Sequence, residues 1–378
     1  MRKYAKMLEK PMIKIKGFVK KNAVMLIAAI CALVTSFIVP PDRQYLGYFD
    51  FKTLTCLFSV LAVVSALRNI RFFYTVAKAI VRKFKTAKLS ILALVYITFI
   101  GSMLIANDMA LLTFLPLGYF VLHTTGKEKY MAFTFIMQNI AANLGGMLTP
   151  FGNPQNLYLY TKFNIPDLEF MSIMLPPFVI SVLLITACCL IFVKSEPLEI
   201  LEKPAELPIG RVIVYLVLFL FSIFIVFRAV PYQIALVIIP LSLLILDRRA
   251  LLEVDYGLIL TFAFFFVFSG NMARIEAVRE FFSYLLQIDT LIFSALSCQF
   301  ISNVPSAILL SQFTDNYREL LLGVNIGGAG TLIASLASLI TFREYNTKSP
   351  GHTLRYILKF TLFNFAFLGI LILFCSLI

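Results

Sequence analysis

Long apolar runs, separated by short polar or basic segments, occupy most of the chain. A helix needs about 20 mostly apolar residues to cross a hydrocarbon core about 30 Å thick, and nine runs approach that length. The pattern therefore predicts an all-α polytopic membrane protein. The predicted crossings are 23–39, 53–67, 131–160, 170–193, 211–229, 232–246, 256–269, 317–340 and 360–378.

Two further apolar stretches, 89–122 and 289–312, are interrupted near the middle by polar residues. Unpaired backbone groups are not tolerated against lipid, so such a break is typical of a segment buried in protein or lining a water-filled cavity. We predict that each stretch is a re-entrant hairpin, which enters the membrane and returns on one side. An odd number of predicted crossings separates the hairpins, so they should open to opposite faces, as inverted repeats do.

The polar segment 194–210 divides the chain into two halves, because its three prolines and mixed charge end one helical region and begin the next. The predicted organisation has four parts. These are a basic cytoplasmic N-terminus (1–22), a first inverted repeat (23–193), a cytoplasmic linker (194–210) and a second inverted repeat (211–378).

Composition and charge favour the same class of protein. Hydrophobic residues make up 60% of the chain and charged residues 14%. The cores of soluble domains could not bury so many apolar side chains. A net charge of +13 would suit a protein that binds nucleic acid. However, 26 of the 33 Lys and Arg fall in segments predicted to be cytoplasmic, which is the distribution expected of a membrane protein. We therefore expect lipid and not nucleic acid as the partner. The predicted protein lies in the inner (cytoplasmic) membrane, with a cytoplasmic N-terminus and an external C-terminus.

Both halves contain the same two polar elements in the same order. Residues 106–108 (Ala-Asn-Asp) and 302–304 (Ser-Asn-Val) interrupt the hairpins, and an N-x-G-G-x-x-T segment follows at 143–149 and 325–331. Asparagine offers both a carbonyl and an amide to a ligand. Paired glycines cost about 1 kcal/mol each relative to Ala, but they let a helix unwind and turn its carbonyls toward an ion. Close helix packing is the alternative role for such glycines.

Asp108 lies within apolar sequence, away from every predicted loop. An intramembrane carboxylate costs several kcal/mol unless it is solvated, paired, ligated or protonated, so Asp108 is a candidate site residue. The alternative is that it caps the second limb of the hairpin, since Asp is a favoured N-cap. The two roles are compatible.

The segments 106–113, 143–156, 302–306 and 327–331 resemble the signature segments of the ion transporter superfamily. That group includes citrate and divalent-anion:sodium symporters, arsenite permeases and bacterial sodium/proton antiporters. The resemblance implies a homodimer in which a scaffold domain carries a transport domain, with elevator-like movement. It also implies that hairpin tips and unwound helices hold substrate and coupling ion. The dicarboxylate symporters usually carry Ser-Asn-Thr at both tips, whereas the tips of this chain lack the threonine and are closer to the arsenite-permease and antiporter branches.

The expected function is that of a citrate transporter-like permease that moves a small organic or divalent anion with Na⁺ or H⁺ and needs no cofactor. A sodium/proton antiporter or an arsenite efflux permease is the alternative, and a passive channel is a distant one. An enzyme is disfavoured, because the two histidines lie near predicted span ends and no acidic pair lies at depth. The expected substrate ligands are Asn107, Asp108, Thr149, Asn153, Ser302, Asn303 and Thr331. The expected coupling-ion ligands are Asn107, Asp108, Asn143, Gly145, Gly146, Ser302, Asn303, Asn325, Gly327 and Gly328.

Overall fold

A computed structural model describes residues 22–200, 202 and 204–377. Nearly all of the predicted basic N-terminus, residues 1–21, lies outside the described residues. The described chain is built from helices and short 3₁₀ turns and contains no β-strand, which confirms the all-α fold. The helices of the first half are α1 (Ala23–Ile38), α2 (Phe51–Asn69), α3 (Phe72–Val81), α4 (Ala87–Ile105), α5 (Asn107–Thr124), α6 (Met131–Gly145), α7 (Pro154–Lys162) and α8 (Asp167–Phe192).

The second half contributes ten helices to the described chain. These are α9 (Ile209–Val226), α10 (Tyr232–Leu246), α11 (Arg248–Leu252), α12 (Tyr256–Arg274), α13 (Glu276–Ile288), α14 (Thr290–Ile301), α15 (Asn303–Leu310), α16 (Tyr317–Ile326), α17 (Leu336–Lys348) and α18 (Thr353–Cys375).

Six helical segments of the described chain are long and apolar enough to cross a membrane: α2, α4, α8, α9, α18 and the α11–α12 pair. Their outward side chains are apolar, as in Ile191 of α8 and Leu362 of α18, which are 74% and 70% exposed. In a polytopic protein, lipid covers such faces. The total of nine crossings, the inverted orientation of the halves and the domain boundaries stay predictions.

Two helices meet at a tight turn in each of the predicted hairpin segments, and the two tips have the same backbone conformation. The first turns at Ala106 (φ 65°, ψ 152°) between α4 and α5, and the second at Ser302 (φ 74°, ψ 157°) between α14 and α15. A positive φ is uncommon for a residue other than glycine. At 1.5 Å per residue, the 12 residues of α14 and the 8 of α15 are too short to cross the membrane, which suits a re-entrant hairpin. The 19 residues of α4 are long enough to cross.

The predicted crossings 131–160 and 317–340 are each two helices joined by an irregular break. The first break follows α6, passes through a 3₁₀ turn at Gly146–Leu148 and ends at Pro154, where α7 begins. The second break separates α16 from α17 and contains Gly330 at a φ of 138°, a conformation that favours glycine. Glycine and proline thus interrupt the helix where the sequence predicted.

The final helix differs from its prediction. It begins at Thr353, whereas the apolar run predicted a start at residue 360. Arg355 and Lys359 precede the predicted start, yet both lie in the first turns of α18 with exposed side chains. Long basic side chains can extend from a helix end to the membrane interface, so they do not stop a helix.

Candidate functional site

A cavity of about 330 Å³ lies where the two hairpin tips meet the two helix breaks. The first residues of four helices line it. They are Asn107 and Asp108 of α5, Asn303 and Val304 of α15, Pro154 and Gln155 of α7, and Ser335 and Leu336 at the start of α17. The first turn of a helix has N–H groups without intrahelical partners and carries the positive end of the helix dipole. Four such ends around one cavity favour an anion.

The remaining wall of the cavity is mainly apolar. It is formed by α1 and α12, which pack against each other and contribute Met25, Ile27, Phe265 and Phe268. Asp255, which caps α12 by accepting the Leu258 N–H at 3.0 Å, also lines this side. The cavity therefore lies between the hairpin tips and helix breaks on one side and the mainly apolar helices α1 and α12 on the other.

Several acceptor oxygens around the cavity have no hydrogen-bond donor. Asp108 Oδ1, Asn153 Oδ1 and Gln155 Oε1 are buried and unpaired among the described residues. Leaving one buried acceptor unsatisfied costs about 1–3 kcal/mol. The only charged side chains among the described residues that line the cavity are Asp108 and Asp255. Carboxylate and amide oxygens without donors, in a cavity of negative charge, are suited to a hard cation or a proton.

Asn143 joins the first tip to both breaks. Its side-chain oxygen accepts the Asn107 amide at 3.1 Å and the Ser335 hydroxyl at 2.8 Å, and its main-chain carbonyl accepts the Asn153 amide at 3.2 Å. All four side chains are buried. The network holds the tip, the first break and the start of α17 in one arrangement.

Asn325 occupies the equivalent position in the second half, and its side-chain contacts reach the first half. Its amide donates to Asn156 Oδ1 at 2.6 Å, and its oxygen accepts the amides of Gln155 at 3.3 Å and Asn153 at 3.4 Å. The asparagine of each N-x-G-G segment is therefore bound by residues of the other half.

The tip asparagines make the same local hydrogen bond. Asn107 Oδ1 accepts the N–H of Asp108 at 2.9 Å, and Asn303 Oδ1 accepts the N–H of Val304 at 2.9 Å. The main-chain N–H of Asn303 also donates to the Ala334 carbonyl at 2.9 Å, which ties the second tip to the second break. These bonds fix the starts of α5 and α15 at the cavity.

Four of the predicted site residues line the cavity: Asn107, Asp108, Ser302 and Asn303. The other nine lie behind this lining. They are Asn143, Gly145, Gly146, Thr149, Asn153, Asn325, Gly327, Gly328 and Thr331. The structure places them among the groups that hold the tips and breaks together.

The two threonines hold the hairpins by equivalent contacts. Thr149 donates its hydroxyl to the Met103 carbonyl at 2.8 Å, and Thr331 donates to the Gln299 carbonyl at 3.0 Å. Met103 and Gln299 each lie three residues before a tip. The hydroxyl protons therefore satisfy carbonyls at the ends of α4 and α14, which have no intrahelical donor.

The paired glycines divide into two roles. A Cβ on Gly145 would overlap the Phe99 carbonyl of α4, and a Cβ on Gly327 would overlap Ala295 of α14. The first glycine of each pair therefore permits close packing on the first limb of a hairpin, which is the alternative considered from the sequence. The second glycine lies against asparagine, since a Cβ on Gly146 would overlap Asn153.

Sequence reasoning did not assign Gln155, Asn156, Gln299 and Ser335 to the site. Asn156 donates to the carbonyls of Gly146, Met147 and Thr149, and Gln299 Nε2 donates to Gly327 O at 2.8 Å. Gln155 and Asn156 lie within the segment 143–156 that carries the family resemblance, so that motif was the available signal. Gln299 had no comparable signal, because it lies in an apolar run and its partners in the second break, Gly327 and Ala329, are 28 and 30 residues away.

Comparisons with known proteins agree with this architecture. A sequence model of the family "Citrate transporter" matches residues 7–317. An uncharacterised transporter of Methanocaldococcus jannaschii is 34% identical over 298 residues, which are 79% of this chain and 82% of that protein. The inner membrane protein YbiR of Escherichia coli is 27% identical over 321 residues, 83% of this chain and 85% of that protein.

A more distant relative is the putative transporter arsB of Dictyostelium discoideum, which is 21% identical over 165 residues, 43% of this chain and 29% of that protein. The predicted resemblance to the ion transporter superfamily is confirmed by the family match and the two longer relatives. The chain is a multi-pass membrane transporter that belongs to the citrate transporter family.

Proposed function

We propose that the chain is a secondary active transporter that moves a small organic or divalent anion together with Na⁺ or H⁺. One observation carries the proposal: the starts of four helices surround a cavity in which Asp108 Oδ1 has no donor within the described part of the chain. The helix starts attract the anion, and the carboxylate binds the coupling cation. Anion and cation thus have adjacent binding groups.

The charges of the cavity explain why the two ions would bind together. Asp108 and Asp255 line it, and no lysine, arginine or histidine among the described residues does. A unit charge repels another at 4 Å by about 4 kcal/mol at an effective dielectric constant of 20. A cation or proton on Asp108 removes part of this repulsion, so it raises the affinity for the anion. Linkage requires that the anion raise the affinity for the cation by the same factor.

The movement we propose is elevator-like, within a homodimer. The asparagine network joins the first tip to both breaks, and the bond from the Asn303 N–H to the Ala334 carbonyl adds the second tip. These bonds support the movement of tips and breaks as one body. The wall that they face, on α1 and α12, is mainly apolar, and an apolar surface can slide without exchanging hydrogen bonds. We place the transporter in the inner (cytoplasmic) membrane, in keeping with the name of the relative YbiR, an inner membrane protein. We place its N-terminus inside.

A sodium/proton antiporter or an arsenite efflux permease on the same scaffold is the second candidate. Two carboxylates without a basic partner suit cation exchange, and both tips lack the threonine of the dicarboxylate symporters. The name of the Dictyostelium relative, putative transporter arsB, is in keeping with this candidate. A passive channel is the distant alternative.

A thermal-shift panel on the detergent-purified protein separates these candidates. Citrate, succinate, sulfate and arsenite are tested with and without Na⁺ at two pH values. A ligand at 100 times its Kd stabilises the native state by about 2.7 kcal/mol, enough to raise the melting temperature measurably. The proposal predicts stabilisation by an anion only when Na⁺ or a lower pH is present. A response to Na⁺ and pH without any anion effect selects the antiporter, and a response to arsenite selects the arsenite permease.

A further inference from the structure

A second cavity of about 330 Å³ lies apart from the hairpin tips, between the end of α2, the start of α3 and the middle of α5. It shares no lining residue with the cavity at the tips. Its lining combines two arginines, two hydroxyl groups and three apolar side chains: Arg68, Arg71, Tyr74, Thr113, Phe73, Leu112 and Pro116. We call it the arginine cavity.

The two guanidinium groups of the arginine cavity are poorly neutralised. Arg68 lies 3.7 Å from Glu253, with both side chains part-exposed, and its other contact is with the Met109 sulfur at 3.4 Å. A part-exposed ion pair contributes little to stability, and a thioether is a weak acceptor. Arg71, at a positive φ of 56° between α2 and α3, forms no ion pair with another described residue. Both groups can therefore accept an anionic ligand.

The position of the arginine cavity indicates what that ligand is. Segment 68–88 carries seven Lys and Arg, a density that favours the cytoplasmic interface of a membrane. Within it, the surface of α3 combines apolar and basic side chains: Val76 and Ile80 are each 39% exposed, and the exposed Arg71 and Arg82 flank the helix. An amphipathic helix of this kind lies in the headgroup region of a membrane. Basic pockets between helices at that depth bind anionic lipid headgroups.

We propose that the arginine cavity binds the phosphate of an anionic phospholipid. Arg68 and Arg71 hold the phosphate oxygens, because a guanidinium matches a phosphate with two parallel hydrogen bonds. Tyr74 and Thr113 offer hydroxyls to the headgroup, and the apolar side chains contact its glycerol and acyl carbons. The lipid would touch both α2 and α5, two helices that otherwise meet here through the contact between Arg68 and Met109.

Native mass spectrometry of the full chain, purified in detergent and titrated with phosphatidylglycerol, measures this binding. We expect one tightly held lipid on the wild type. The double variant Arg68→Gln/Arg71→Gln should bind it at least tenfold more weakly, since two charge-assisted contacts are lost. Arg211→Gln is the matched control, because Arg211 is an exposed arginine at the start of α9 outside both cavities. It should bind like the wild type. Melting curves without lipid show that each variant is folded.

Two further arms distinguish the source of the phosphate. Phosphatidylcholine tests whether any lipid is held, and free glycerol 1-phosphate tests whether a soluble phosphate suffices. The proposal expects weak retention of both. Three results would each overturn the proposal. Phosphatidylcholine could be retained as well as phosphatidylglycerol, glycerol 1-phosphate could displace the lipid at a concentration similar to that of the lipid, or the folded double variant could bind the lipid with wild-type affinity.

Discussion

Asp108 is the residue on which the proposed coupling depends, because its Oδ1 is buried at the tip cavity and no described residue donates to it. We predict that Asp108→Asn folds but loses the stabilisation that Na⁺ or a lower pH gives to the wild type. Asparagine preserves the shape of the side chain and removes the charge that binds the cation. Asp289→Asn, which changes a helix cap outside the cavity, is the control. A cation response that survives in Asp108→Asn would exclude this carboxylate as the coupling site.

Gly145 gives a second prediction at the residue scale. Gly145→Ala should lower the free energy of unfolding by about 1–3 kcal/mol, because the added methyl meets the Phe99 carbonyl and the Ser102 side chain. Gly369→Ala is the matched control, since a Cβ on Gly369 of α18 meets nothing within 4 Å. Alanine favours a helix over glycine by about 1 kcal/mol, so this change should not destabilise the protein. Equal melting temperatures for the two variants would refute the packing role of Gly145.

At the scale of elements, the first helix break depends on Asn156. Its amide donates to the carbonyls of Gly146, Met147 and Thr149 at 3.1–3.2 Å, and its oxygen accepts the Asn325 amide. Asn156→Leu leaves these buried groups without partners, at about 1–3 kcal/mol each, so we expect a large loss of stability in chemical unfolding. The control Asn346→Leu changes an exposed side chain of α17 whose hydrogen bond, from the Thr353 hydroxyl, lies at the surface, so stability should change by no more than about 0.5 kcal/mol. A stable Asn156→Leu protein would show that the break is held by other contacts.

The linker provides a pH-dependent prediction. Glu196 accepts hydrogen bonds from Lys127, Lys129 and Tyr130 at the loop between α5 and α6, and these bonds lower the pKa of its carboxyl to about 2. Because this pKa lies below the ordinary value of 4.5, the contact stabilises the protein above pH 4.5 and is lost as the pH falls through about 2.

Limited proteolysis of the linker measures that contact. Glu196→Gln should be cut faster than the wild type at pH 7, and the difference should shrink as the pH falls below 4.5. The control Glu206→Gln changes an exposed residue of the same linker and should be cut at the wild-type rate. A difference between Glu196→Gln and the wild type that did not change with pH would contradict the assigned charge contact.

The hairpins and breaks were predictable from sequence, whereas most of the bonds that hold them were not. A polar residue or paired glycine inside an apolar run signals a local interruption, and the interruptions at 106–108 and 302–304 are the observed tips. The contacts of Gln299 and Ser335 depend on which distant segments pack together, since Ser335 bonds a residue 192 positions away. Local patterns carry no information on such partners, so the bonds from the Thr149 and Thr331 hydroxyls to the carbonyls of Met103 and Gln299 were not predicted. The ligand roles of the two threonines stay predictions.

At the scale of the whole molecule, two similar halves place their tips and breaks around one cavity, opposite the apolar pair α1 and α12. The prediction of an all-α membrane protein followed from composition and from the length of the apolar runs. Both reflect the thickness and apolarity of the membrane, and neither requires knowledge of tertiary contacts. The number of crossings and the orientation stay predictions, because helices such as α1 and α10 are shorter than a full span. Their placement depends on neighbours and tilt.

Uptake by the protein reconstituted in lipid vesicles tests the proposed coupled transport most directly. Radiolabelled citrate, or the anion that the thermal-shift panel selects, is added outside vesicles with and without an inward Na⁺ or H⁺ gradient. The account predicts saturable accumulation above the external concentration when the gradient is present, and its loss in Asp108→Asn. Uptake that only equilibrates, does not saturate and ignores both gradients would contradict coupled transport and would indicate a passive pore.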